Sequence, residues 1–167
     1  MKKILFCTDL SQSCQNLCAY VSEWVGGTDI IVDIIHSYDP DLVNISSADM
    51  TEFSEFHAER KKEMISKMNA FLFELPEQNR GKYHLAEDIN RALAIRQMAL
   101  ITKADLIVTG LRDRYTLMDK LIGSTVAKMV GDVNPPLLVV PYDRKYTPIK
   151  KILFTIQSKS KDELSIR

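Results

Sequence analysis

Surplus charge of either sign is absent from this chain: Lys plus Arg and Asp plus Glu number 22 each, a net charge of zero. Without a net field there is no electrostatic footprint for nucleic acid or an anionic bilayer, so neither is expected as a partner. Long apolar runs are absent too. No stretch approaches the roughly 18 residues that a membrane-spanning helix requires. The opening MKKILFCTDLS carries two lysines, but its apolar run is short and ends at Asp9, so it reads as a strand rather than a leader peptide. Cysteines are few. Cys7, Cys14 and Cys18 have no metal-ligand spacing, and Cys14 and Cys18 fall four apart on one helical face. They read as small buried hydrophobes in a reducing compartment, and the expected location is the cytoplasm. His36, His57 and His84 are scattered with no paired ligand, so no metal site is expected.

What is present suits one soluble domain. In 167 residues, 46% are hydrophobic, enough for a full core, and 26% are charged. The run Ile4-Leu5-Phe6-Cys7 predicts a first strand over 2–8. Ser11 is placed to cap a helix carrying Cys14, Leu17, Cys18, Val21, Trp24 and Val25 inward, closed by Gly26-Gly27. A second strand is predicted over 29–37, with Asp33 its one internal charge, expected near an edge or sheet end. After a loop with a turn at Asp39-Pro40-Asp41, a long helix is predicted over 49–75. Phe53, Phe56 or His57, Met64, Met68, Phe71, Leu72 and Leu75 face inward in this reading, and the run Glu59 to Glu63 is a solvated face. A third strand follows over 82–89. Next comes a helix over 91–103 with Leu93, Ile95, Met98, Ala99 and Thr102 inward.

The stretch from Ala104 to Pro141 organises the rest. Leu106–Val108 and Leu137–Val140 are continuous apolar runs, as buried parallel strands require. Between them Gly110, Gly123, Ser124 and Thr125 put flexible backbone and hydroxyls where a strand ends and a helix begins, a place suited to phosphate. Strands alternating with helices predict an α/β fold, a five-stranded parallel open sheet with helices on both faces. Its right-handed crossovers bring Asp9, Ser37 and Gly110 to one rim. Ser124 has no adjacent base and no nucleophile-elbow pattern, so no catalytic residue is assigned. Arg112, Arg114 and Lys120 in the same loop read either as a solvated segment or as a phosphate clamp.

The tail repeats the beginning: Lys150-Lys151-Ile152-Leu153-Phe154 is identical to Lys2-Lys3-Ile4-Leu5-Phe6. The expected organisation is a domain over 1–143, then, over 144–167, a linker and the first strand and helix start of a second repeat. The alternative is an ordinary C-terminal strand.

ILFCTDLS, Ile35-His36-Ser37, ADLIVTG and GST before PPLLVVP, taken in order, resemble the universal stress protein family over residues 1 to about 143. The spacing also fits the family's Gly-x2-Gly-x9-Gly-Ser/Thr motif, through Gly110, position 113 and Gly123-Ser124. The resemblance implies the Rossmann-like architecture of adenine-nucleotide hydrolases and ATP, with Mg²⁺, as the ligand. It implies that Asp9 holds the nucleoside end, that the backbone of Ser37 meets the base, and that Gly110, Gly123, Ser124 and Thr125 contact ribose and phosphates. It further implies a homodimer through the last strand, Leu137–Val140, and a stress-response regulatory or interaction module, at most a slow ATPase. A glycine-rich loop expected of a true ATP-using enzyme is replaced by Ser11-Gln12-Ser13.

This chain departs from the family at Asp113, which stands where the motif's second glycine belongs. A carboxylate about 4 Å from phosphate, at an effective dielectric near 20, is repelled by about 4 kcal/mol, so Asp113 is the residue most able to weaken nucleotide binding. Ser37 replaces the usual apolar residue, Asn90 stands for the glycine before the third helix, and Gln157 aligns with Asp9 in the second copy.

Overall fold

In the computed structural model, residues 1–39, 50–111, 124–129 and 134–153 are described, without the side chains of 50–54, 124 and 127. Among the described residues strands and α-helices alternate: β1 Lys3–Cys7, α1 Gln12–Val25, β2 Ile31–Tyr38, α2 Met50–Glu74, β3 Arg80–Glu87, α3 Arg91–Thr102, β4 Leu106–Leu111, α4 Ser124–Met129 and β5 Leu137–Pro141, with a 3-10 turn at Glu77–Asn79 before β3. The five strands form one sheet in the order β3-β2-β1-β4-β5, every pair parallel. The α/β class and the parallel sheet are as the sequence led one to expect.

Alternating strand residues sort into two cores. Ile4, Phe6, Val32, Ile34, Val108 and Val140 meet α1 and α2 through Leu17, Cys18, Val21, Met68 and Phe71. Leu5, Cys7, Ile35 and Ile107 meet α3 and α4 through Ala92, Ile95, Ala99 and Met129. Full burial of each large aliphatic or aromatic side chain contributes about 1.5–3 kcal/mol, which makes the central strand β1 the best-anchored part of the sheet. From β1 the chain first adds strands on one side and then on the other. The strand order therefore reverses between β1 and β4, and the crevice beyond their carboxyl ends is where open α/β sheets take ligands.

Four details sharpen or correct the sequence reading. Leu93, expected inward on α3, is 43% exposed, while Ala92 and Ala94 are buried. Alanines let α3 approach the sheet closely, and the larger side chain points away. Phe56 is exposed, and of the pair weighed for the inward position His57 is the half-buried one. Ser11 does occupy the N-cap position of α1, but its hydroxyl makes no capping bond. Asp33, expected near an edge or a sheet end, is the third residue of β2, the strand next to the edge strand β3, yet it is only 2% exposed.

Partners on three sides allow that burial of a carboxylate. Lys3 Nζ lies 3.2 Å from Asp33 Oδ2, His84 Nε2 3.2 Å from the same oxygen, and Lys82 N donates to Oδ1 at 2.9 Å. The β2–β3 register shifts between Val32 and Ile34, and a β-carbon on Gly81 would collide with Asp33 Oδ1. The irregularity thus wraps β3 backbone around the carboxylate. Asn79, fully buried, fixes the entry to β3 by donating from Nδ2 to the carbonyls of Thr28 and Ile30 at 2.9 and 2.8 Å.

Candidate functional site

A crevice of about 490 Å³ opens at the carboxyl ends of β1, β2 and β4. Its β1 wall is Cys7, Thr8 and Asp9. Thr8 N donates to the Ile35 carbonyl at 2.9 Å, so pairing with β2 continues one residue past β1. The chain then turns sharply: Leu10 has φ 58°, and its N–H donates to Thr8 Oγ1 at 3.0 Å. A left-handed leucine is strained, and the Thr8 and Asp9 side-chain bonds hold it there. Asp9 Oδ1 accepts from the N–H of Ser11 at 3.0 Å and from its hydroxyl at 2.5 Å. Ser11 is thus engaged by Asp9 rather than capping α1, and the Asp9 carboxylate is fixed at the rim.

At the β2 end stand His36, Ser37, Tyr38 and Asp39. His36 Nδ1 lies 2.9 Å from the Thr8 carbonyl, which can only accept, so the ring proton is on Nδ1 and Nε2 carries the lone pair. Burial lowers the His36 pKa below its usual 6.5; the Thr8 carbonyl and Asp9 oppose that, and Arg91 and Arg60 add to it. Tyr38 OH donates to Glu87 Oε1 at 2.6 Å, and Lys61 Nζ donates to the same oxygen at 3.0 Å. Burial first, then Glu87, pushes the Tyr38 phenol up to about 12. This network ties α2, β2 and β3 together beneath the crevice.

The opposite wall is Thr109, Gly110 and Leu111 of β4 with Thr125 and Val126 of α4. Of the residues singled out from sequence, Asp9, Ser37, Gly110 and Thr125 therefore meet at one rim. Ser124 heads α4 beside them. Asp113 and Gly123, with Arg112, Arg114 and Lys120, lie outside the described residues.

Three lining residues escaped the sequence reading. Arg60 was grouped with a solvated helix face, yet it is half-buried and lines the crevice from α2. Arg91, the first residue of α3, does so from the other face. Its signal was legible: a helix following a strand starts at the strand's carboxyl rim, and Asn90 caps it by accepting from Leu93 N at 3.3 Å. Tyr142, one residue past β5, covers Gly110. Neither arginine forms an ion pair among the described residues. The rim thus offers two cations, two carboxylates at Asp9 and Asp39, and several hydroxyls, a set suited to a polar ligand carrying both donors and acceptors.

No thiol there is a nucleophile. Burial pushes Cys14 up to about 11 and raises Cys7 and Cys18 as well, so all three stay protonated. The three cysteines are free and buried, and no group of metal-ligating side chains occurs among the described residues.

The family model of universal stress proteins matches residues 1–141. The chain belongs to the universal stress protein family. Solved structures agree in fold. The hypothetical protein MJ0577, whose biochemical function was assigned from structure, has a TM-score of 0.67 at 23% identity, covering 87% of this chain and 98% of its own. A universal stress protein in complex with cAMP has a TM-score of 0.54 at 17% identity, with 85% of this chain and 98% of that one covered. The Archaeoglobus fulgidus family member in complex with dAMP has a TM-score of 0.57 at 16% identity, with coverage of 84% and 98%. No curated protein matches the chain. Among the described residues, no helix is long and apolar enough to cross a membrane.

Proposed function

We propose that this universal stress protein domain binds an adenine mononucleotide in the rim crevice and serves as a cytoplasmic, nucleotide-responsive regulatory module. The observation that carries this reading is the crevice itself, about 490 Å³ at the point where the strand order reverses. Relatives of the same fold hold cAMP and dAMP. In this reading Asp9 and the Ser37 backbone face the nucleoside, and Gly110, Gly123, Ser124 and Thr125 face ribose and phosphate. ATP with Mg²⁺ is a ligand of the same site, weakened by Asp113, and its hydrolysis is slow. Titration calorimetry with AMP, and with ATP plus Mg²⁺, tests the proposal. Saturable heat supports it, AMP binding more tightly than ATP supports the role of Asp113, and no heat at millimolar ligand contradicts the binding reading.

A second reading makes association the function. β5 is the last strand of the sheet order and has β4 on one side only among the described residues. Its residues Leu137, Leu138 and Val139 are half-buried, an apolar edge that a second copy would cover as a homodimer. The tail adds to this: Ile152 and Leu153 are 85% and 90% exposed, whereas their sequence counterparts Ile4 and Leu5 are wholly buried in β1. The segment from Lys150 onward is thus proposed as the first strand of a second repeat.

A further inference from the structure

The outer face of α3 carries a pattern that the fold does not use. Ala92, Ile95 and Ala99 point into the core, while Ile89, Leu93, Leu100 and Ile101 are 71%, 43%, 63% and 73% exposed. Their spacing gathers them: Leu93 and Leu100 are two turns apart on α3, Ile101 adjoins Leu100, and Ile89 precedes Leu93 by four residues. Glutamate, lysine or glutamine would serve the helix as well as leucine and better than isoleucine, so helix propensity gives no reason for this choice. A helix that is apolar on both faces is ordinarily covered on both. Among the described residues nothing covers this one. The four side chains expose on the order of 400 Å², a size at which a surface patch is often a contact site.

We infer that this face docks a second copy of the same chain, with α3 antiparallel to α3 about a two-fold axis. Two features select that partner. The stripe is self-complementary under reversal: an axis beside Arg96 and Gln97 sets Leu93 against the second copy's Leu100, and Ile89 against its Ile101. The ends of the helix also differ in charge. Asp88 precedes α3 and Lys103 closes it, so reversal brings the acidic end of each copy to the basic end of the other. Gln97 stands at the axis and pairs with its own copy, since an amide both donates and accepts. Two Arg96 side chains approach the same axis and repel. With only about 800 Å² of apolar surface covered, counting both copies, the contact is weak, with a dissociation constant on the order of 0.1 mM. It is open at the micromolar concentrations of light scattering. It is also separate from pairing at β5, because α3 packs over β1, β2 and β3, toward the other end of the sheet.

Sedimentation velocity from about 10 µM to about 1 mM tests this, on a Val139→Lys background that removes pairing at β5. The weight-average mass should climb toward twice the 19.0 kDa chain mass. Leu100→Glu on that background should move the rise to at least about 10-fold higher concentration, with an unchanged unfolding midpoint because the residue is exposed. Gln97→Cys, beside the axis, should cross-link with itself on oxidation. Lys103→Cys should not, but should cross-link with Asp88→Cys in a mixture of the two. The native cysteines are buried and do not compete. A mass that stays at one chain throughout overturns the inference and leaves the nucleotide and β5 readings standing. So does a rise that survives Leu100→Glu, or Lys103→Cys cross-linking with itself as readily as Gln97→Cys, the mark of a parallel pair. Binding to anionic lipid vesicles that Leu100→Glu abolishes, with no rise in mass, assigns the face to a membrane and overturns the inference equally.

Discussion

The ring of Tyr142 lies against the α-carbon of Gly110, in the space that a β-carbon would need: one built there collides with Cδ1, Cε1 and Cζ of the ring. Tyr142 is buried, and its N–H donates to the Leu111 carbonyl at 3.3 Å, extending the β4–β5 pairing by one residue. The first glycine of the motif therefore has a packing reason here that is independent of any ligand. From Tyr142 the chain runs back over α1, where the Tyr146 and Tyr20 rings meet edge to face at 5.3 Å.

Gly110→Ala should consequently destabilise the fold by about 1–3 kcal/mol, the usual cost of overpacking a close contact. Chemical denaturation measures it. Adding Tyr142→Ala to Gly110→Ala should recover part of the loss, because the two residues share one contact. Strictly additive losses would contradict the contact.

Asp33→Ala should cost about 1.5–3 kcal/mol, the range for hydrogen bonds to a charged group, because Lys82 N, Lys3 and His84 lose one acceptor together. Removing Lys3 alone should cost less, since its side chain is about a third exposed and the carboxylate keeps its other partners. Equal and negligible losses in the two variants would show that the cluster does not hold β3 to β2.

Much of this was legible in the sequence, and each failure has a physical cause. The helix α2 stripe of Met64, Met68, Phe71, Leu72 and Leu75 is buried as its spacing requires, because α2 packs on the sheet with large side chains. On α3 the core contact is made by Ile95 together with Ala92 and Ala99, and a rule that assigns the largest apolar residues inward chooses Leu93 wrongly. Asp33 and Asn79 were unreadable for a different reason. Each is a buried polar group whose partners, for Asn79 those of Nδ2 alone, come chiefly from strands and turns distant in sequence, and nothing local shows that they converge. Arg60 looks like one more charge on a charged face. Only the sheet's strand order puts it beside the crevice.

His36 makes the fold acid-sensitive. Its folded pKa lies below the unfolded value near 6.5, chiefly through burial. Between those two values the unfolded chain binds the extra proton, so this stability is fully present above about 6.5 and is lost as pH falls toward the folded pKa. An NMR titration of the His36 ring should give a midpoint below 6.5. His36→Gln should flatten the fall in stability between about pH 7.5 and 5.5. A midpoint at or above 6.5 would contradict the burial argument.

Val139→Lys should prevent self-association, since a charge on an edge strand opposes edge-to-edge pairing. In light scattering, wild type is expected at twice the 19.0 kDa chain mass and the variant at the chain mass. A monomeric wild type would remove the association reading and leave nucleotide binding untouched.

The central claim is that a nucleotide occupies the crevice where β1, β2 and β4 end. Titration of ¹⁵N-labelled protein with AMP, followed through backbone amide shifts, tests it most directly. The account predicts saturable shifts concentrated at Thr8, Asp9, Ser37, Tyr38, Thr109, Gly110 and Thr125, with Asn79 and Leu100 unmoved. Unchanged spectra at millimolar AMP, or shifts centred away from that rim, would contradict it.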